Sequence, residues 1–182
     1  MIRHEGDPDR CAVVLPGIRY FSQAPLLWFA REVAQAHGWS VVEADERAPA
    51  GEEPFGWMLG QAERALEEAR GAATVAVIGK SLGTVAATIH HGPAAWLTPL
   101  LDRPEIVEAL RATAAPTLLV GSPDDPTWGS GTVPENPALD VLELTGLDHA
   151  LQVSGSPCSS LDVLRTVTQR VSSWLAGLAG NP

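Results

Sequence analysis

Short, wholly apolar runs alternate along this chain with longer stretches whose apolar residues recur at helical spacing. The run CAVVLPG (11–17) closes on Pro16-Gly17 and predicts a buried strand followed by a turn. In 22–38, Leu26, Leu27, Phe29, Ala30, Val33 and Ala34 fall at helical spacing, and Gly38 stops the pattern. WSVVEAD (39–45) predicts a second strand, and 53–71 a helix ended by Gly71. ATVAVIG (73–79) is a third strand, leading directly into a helix over 81–92. AAWLTPLL (94–101), PTLLVG (116–121) and ALDVLELTG (138–146) supply strands four to six, with helices over 103–113 and 160–178.

Strands that are apolar on both faces, separated by helices, imply a parallel sheet covered on both sides, with right-handed crossovers. The expectation is one α/β domain: a doubly wound, mainly parallel sheet of six strands. The irregular stretches are 45–53, 122–137 and 147–159. The last two follow strands at the carboxyl edge of the sheet, where α/β proteins place their sites.

Composition narrows the partners. Of the 182 residues, 45% are hydrophobic and 19% charged, enough to form a globular core without metal or disulfide. A formal net charge of −10 argues against nucleic acid or an anionic membrane surface as partner. Lys80 is the only lysine, and the arginines form no basic block. The first ten residues are charged and contain Pro8, unlike a signal peptide, and no apolar run reaches the ~20 residues of a membrane helix. A cytoplasmic monomer or homodimer is expected. Cys11 reads as a buried strand residue and Cys158 as a loop thiol, with no metal-ligand spacing. No metal and no cofactor are implied.

The chemistry gathers around VAVIGKSLGT (75–84). By itself G-x-S-x-G occurs by chance in roughly one chain in twenty of this size. A strand immediately before it and a helix immediately after it give it meaning. A serine on so sharp a turn needs a strained backbone, and side chains two residues before and after it would collide, so Gly79 and Gly83 stand there. The phosphate-loop spacing G-x-x-x-x-G-K-[ST] fails, because residue 74 is threonine.

A serine nucleophile needs a base, and the base an acid to orient it. Strand five runs into GSPDDPTW and strand six into LTGLDHAL. Ser81, an aspartate and His149 therefore come in order at three strand ends. Asp124 and Asp125 both fit the acid position; Asp125 is favoured because the following proline holds its backbone extended. The backbone N–H groups of Leu82 and Ile18 are the candidate oxyanion donors, although Pro16-Gly17 also fits an ordinary turn.

From VVLPG through GKSLG and GSPDDP to GLDH, the chain resembles the α/β-hydrolase superfamily, specifically its small lid-less members related to dienelactone hydrolase and the small serine hydrolases. That resemblance implies a serine hydrolase with Ser81, Asp125 and His149 as nucleophile, acid and base. Its substrate would be a small carboxylic ester, thioester or lactone. Acyl transfer to an alcohol or amine, or a non-catalytic binding protein on the same fold, are the alternatives. Three departures stand out: no further glycines follow Gly17, Lys80 occupies a position where histidine is frequent, and the family's first two antiparallel strands are missing. Residues 102–115 leave no room for a cap domain, so the pocket is expected to be shallow, walled by Arg19, Tyr20, Trp96, Thr98 and Trp128.

Overall fold

A computed structural model describes residues 1–44, 51–129 and 133–179; the predicted irregular stretches 45–53 and 122–137 lie partly outside them. In chain order the elements are β1 (Ile2–His4), β2 (Asp7–Leu15), α1 (Pro25–Ala36), β3 (Trp39–Glu43), α2 (Pro54–Ala69) and β4 (Thr74–Lys80). A 3₁₀ helix follows over Ser81–Thr88, then β5 (Ala94–Leu97), α3 (Pro104–Ala112), β6 (Thr117–Gly121), α4 (Pro126–Gly129), β7 (Leu139–Glu143) and α5 (Pro157–Ala179). Among the described residues all five α-helices begin on a proline, whose fixed φ suits the first turn and whose missing N–H costs nothing there. Glu53 caps α2 by accepting from the Phe55 and Gly56 amides at 2.9 and 2.7 Å.

The sheet runs β1-β3-β2-β4-β5-β6-β7. The six predicted strands are β2 to β7, all parallel, and a seventh, β1, is added antiparallel on the outer edge of β3. The sequence pattern missed β1 because its three residues, Ile-Arg-His, are mostly exposed and form no apolar run. It supplies one antiparallel strand where none was expected. The stretch after Ser81 is also tighter than predicted, a 3₁₀ helix instead of an α-helix. Cys158 lies in the first turn of α5, exposed, and Cys11 is buried in β2; both are free.

Side-chain alternation on the strands sorts the core into two layers. Cys11, Val13 and Leu15 of β2 join Val77, Trp96 and Leu119 beneath α2, α3 and the 3₁₀ helix. Ala12, Val14, Ala76, Ile78, Leu97 and Val120 face the opposite way, under α1 and α5. Among the described residues no helix is long and apolar enough to cross a membrane.

The topology fixes where a site can form. From β2 the chain moves outward to β3, then crosses back to β4 on the other side of β2. The crossovers after β2 and β4 thus run in opposite directions along the sheet, the switch point at whose carboxyl edge a doubly wound fold offers a crevice.

At the same edge of β3, Glu43 is fully buried. Arg31 of α1 donates to it at 3.2 Å, and His4 of β1 reaches the same carboxylate oxygen. The group ties the extra strand and the first helix to the sheet. Removing one member leaves buried charge behind. Glu43→Ala is therefore expected to lower stability by about 3 kcal/mol, read from the urea midpoint. A loss under about 1 kcal/mol would show that Arg31 and His4 are satisfied without it.

Candidate active site

The last residues of β4 carry the chain to Ser81, which adopts φ +52°. A left-handed conformation is strained for a non-glycine residue and persists only where its surroundings enforce it. Here they are crowded on all sides. A Cβ at Gly79 would sit 2.7 Å from the Trp96 ring and 2.9 Å from the Gly83 carbonyl oxygen. One at Gly83 would come within 2.5 Å of the Leu15 carbonyl oxygen at the end of β2. The collision expected between the two glycine positions is thus only part of the reason for them. The larger part is close packing against β2 and β5.

The turn projects the Ser81 side chain into the crevice, where the residue is 8% exposed. Its hydroxyl donates to His149 Nε2 at 2.7 Å. His149 sits in the loop after β7, its side chain about one third exposed at 35%. Its other ring nitrogen, Nδ1, faces Asp125 Oδ2 at 2.7 Å and carries the proton shared with that carboxylate. The structure therefore brings Ser81, His149 and Asp125 together in one hydrogen-bonded chain from three strand ends. Asp124 is turned elsewhere and accepts from the Gly146 amide at 2.6 Å.

Asp125 is fully buried and acts as the N-cap of the short helix α4. Its Oδ1 accepts from the Thr127 amide and the Thr127 hydroxyl, both at 3.0 Å. The Thr127 oxygen also lies 3.2 Å from His149 Nδ1. Burial on its own would raise the Asp125 carboxyl, but the hydrogen bonds from His149 and Thr127 outweigh it and hold the group below the usual carboxylate range. The carboxylate thus stays charged while facing an imidazole. Sequence reasoning missed Thr127, though the signal was there: Asp-Pro-Thr places a capping aspartate, a proline at the first helical position and a polar residue at the second.

The loop after β2 closes against the serine. A Cβ at Gly17 would lie 3.0 Å from Ser81 Cβ and 3.2 Å from the Lys80 carbonyl oxygen, so glycine lets the two segments approach more closely than a larger residue would. Ile18 follows in a turn whose ends pair, the Gly17 amide donating to the Tyr20 carbonyl at 3.1 Å. Its side chain is 55% exposed. Leu82 is the second residue of the 3₁₀ helix, within the first turn whose N–H groups have no partner inside the helix.

Two expected pocket residues belong to the core. Trp96 is 2% exposed, with its ring packed under Gly79. Trp128 is 3% exposed, its ring pressed on Gly121 and its Nε1 donating to Glu143 at 3.0 Å. Both side chains fill the space that a glycine leaves open, which no residue count reveals. Thr98 is also fully buried, at φ +46°, with an unbonded hydroxyl. Arg19 is exposed at φ +57°, and Tyr20 is half-buried, accepting from the Leu26 amide at 3.0 Å. A groove of about 670 Å³ lies on one flank of the His149 loop, against Leu26, Asp148, Leu151, Val153 and Leu164; neither Ser81 nor His149 lines it.

No protein-family model and no curated protein matches the sequence. Solved structures do match its shape. Est1E from Butyrivibrio proteoclasticus, in a structure with ferulic acid bound, superposes with a TM-score of 0.69 at 12% identity, over 99% of this chain and 95% of that one. An α/β serine hydrolase homologue from Coxiella burnetii gives 0.66 at 10% identity, over 93% and 86%. An α/β serine hydrolase without lid from Xanthomonas campestris gives 0.63 at 13%, over 94% and 87%. The chain has the α/β-hydrolase fold in its lid-less form.

Gly83→Ala tests how tightly the turn is packed. The new methyl meets backbone, which cannot swing aside, so a loss of about 3 kcal/mol is expected in chemical denaturation, at the upper end of overpacking costs. A variant as stable as the native chain would show that the turn has room to relax.

Proposed function

We propose that the protein is a serine hydrolase that cleaves a small carboxylic ester, thioester or lactone through an acyl-enzyme on Ser81. The observation that carries this reading is the continuous chain Ser81 Oγ–His149–Asp125, with both links at 2.7 Å. The shared fold of Est1E and the serine hydrolases supports it.

In the first half-reaction His149 Nε2 takes the Ser81 proton as the hydroxyl oxygen attacks the acyl carbon. The carbonyl electrons move onto oxygen, and the amides of Ile18 and Leu82 receive that negative charge. When the tetrahedral species collapses, the bond to the leaving alcohol or thiol breaks, and the proton on His149 goes to it. In the second half-reaction His149 deprotonates water, which attacks the acyl-enzyme; release of the carboxylic acid returns the proton to Ser81. Asp125, kept ionised by its hydrogen bonds, holds the imidazole in one tautomer and offsets its charge after proton transfer.

The acyl group must be modest. Without a lid, the serine opens onto loops, and the loop that touches it exposes the apolar side chains of Ile18 and Phe21. These favour an uncharged acyl chain or ring.

Hydrolysis of p-nitrophenyl esters of graded acyl length, run beside acyl thioesters, tests the reading. Ser81→Ala and His149→Ala should each lose turnover by several orders of magnitude. Asp125→Asn should lower kcat by about 10⁴, and Asp124→Asn by less than about tenfold. The reverse order for the two aspartates would move the acid role to Asp124. Native turnover in Ser81→Ala would end the proposal.

A further inference from the structure

Directly before the nucleophile stands the chain's only lysine, and it is 2% exposed. Lysine is almost never fully buried without a carboxylate in contact. Among the described residues Lys80 has no such partner. Its Nζ instead donates to the backbone carbonyl of His149 at 2.9 Å. The same ammonium lies 4.7 Å from the centre of the Tyr20 ring, within cation–π range. Its stem runs under Gly17, where a Cβ would be 3.4 Å from Lys80 Cδ. One side chain therefore touches all three segments that meet at the serine: the β2–α1 loop, the turn itself and the His149 loop.

We propose that Lys80 is a positioning residue for the base: its ε-ammonium ties the His149 backbone to the residue beside the nucleophile, so that one buried charge holds the imidazole over Ser81. The inference rests on the serine-hydrolase reading and adds to it a residue that touches no reacting atom.

The electrostatics agree with the geometry. Burial pushes the Lys80 ammonium down to about 8, against partial support from the Asp125 and Asp148 carboxylates. Those two groups, together with His149 and the Tyr20 ring, are what face it from the acid loop, the histidine loop and the β2–α1 loop. The sign follows from the depressed value. Below pH 8 the protonated lysine is present in the fold and costs stability; the cost is relieved as pH rises from about 8 towards 10.5. A charge kept at neutral pH against the interest of the fold is accounted for by what it holds in place.

Lys80→Met keeps the stem and removes the charge. At pH 7 its thermal midpoint should equal or exceed that of the native chain, while kcat falls about 10- to 100-fold and KM stays within about threefold. A structural role would move the midpoint down instead. The native kcat should decline above about pH 8, and Lys80→Met should lack that decline.

Because Lys80 is the sole lysine, carbon-13 labelling of the lysine ε-position gives one NMR signal with no assignment needed. It should titrate near 8, and the His149 ring signal, identified by its loss in His149→Ala, should shift with the same midpoint. A lysine signal titrating near 10.5, a ring signal indifferent to it, or native kcat and alkaline profile in Lys80→Met each overturns the proposal. These NMR readings need no turnover. A native chain that hydrolyses no ester thus counts against the serine-hydrolase reading, while the two signals still decide Lys80.

Discussion

Everything at the crevice depends on how closely the backbone packs around residue 81. The end of β2 presses on Gly83, the first residues of the next loop press on Ser81 through Gly17, and Trp96 of β5 fills the space beneath Gly79. Three glycines, one in the loop after β2, one in β4 and one in the 3₁₀ helix, remove the side chains that would hold these segments apart. Their approach forces Ser81 to φ +52°, a strained state that an isolated peptide would abandon. The strain is what aims the hydroxyl away from the sheet and towards the histidine.

The partners of that hydroxyl are held by different means. Asp125 is fixed by secondary structure, since capping α4 orients its carboxylate independently of the imidazole. His149 sits in a loop turned by Asp148, whose Oδ1 accepts from the Ala150 and Gln152 amides at 2.8 and 2.9 Å. Lys80 adds a bond to the His149 carbonyl from outside that turn, and the ring is held by Asp125, Thr127 and Ser81. The histidine is therefore tied at both its backbone and its ring. Polar contacts of this kind gain strength from burial, and Asp125 and Lys80 are both buried.

Much of this was legible in the sequence, for physical reasons. Where parallel strands are covered on both faces they must be apolar, so the second half of β2 (11–15) and β4 to β6 announce themselves as apolar runs. The serine and the aspartate pair were readable because each follows such a run, and the histidine because it comes in the loop after the next strand, β7. What pattern alone misses is structure made by backbone or by shape. β1 pairs through its main chain with no apolar face, and α4 is four residues long, too short for any periodicity. Trp96 and Trp128 look like pocket residues in a loop-rich sequence until the glycines they pack against are seen across the sheet. Lys80 reads as a departure from a familiar motif, and only the fold shows that its tip reaches the histidine loop. At 10–13% identity to solved structures of the same shape, the fold is shared while most side chains differ. The local geometry, more than the likeness, points to chemistry.

The proposed acyl-enzyme requires the residue 81 oxygen to be activated by the imidazole beside it. Incubation with a fluorophosphonate, followed by intact-mass measurement and peptide mapping, addresses it directly. One adduct per chain, located on Ser81 and absent when residue 149 is alanine, is the predicted result. A chain that stays unmodified, or carries its adduct on a different residue, would contradict the account.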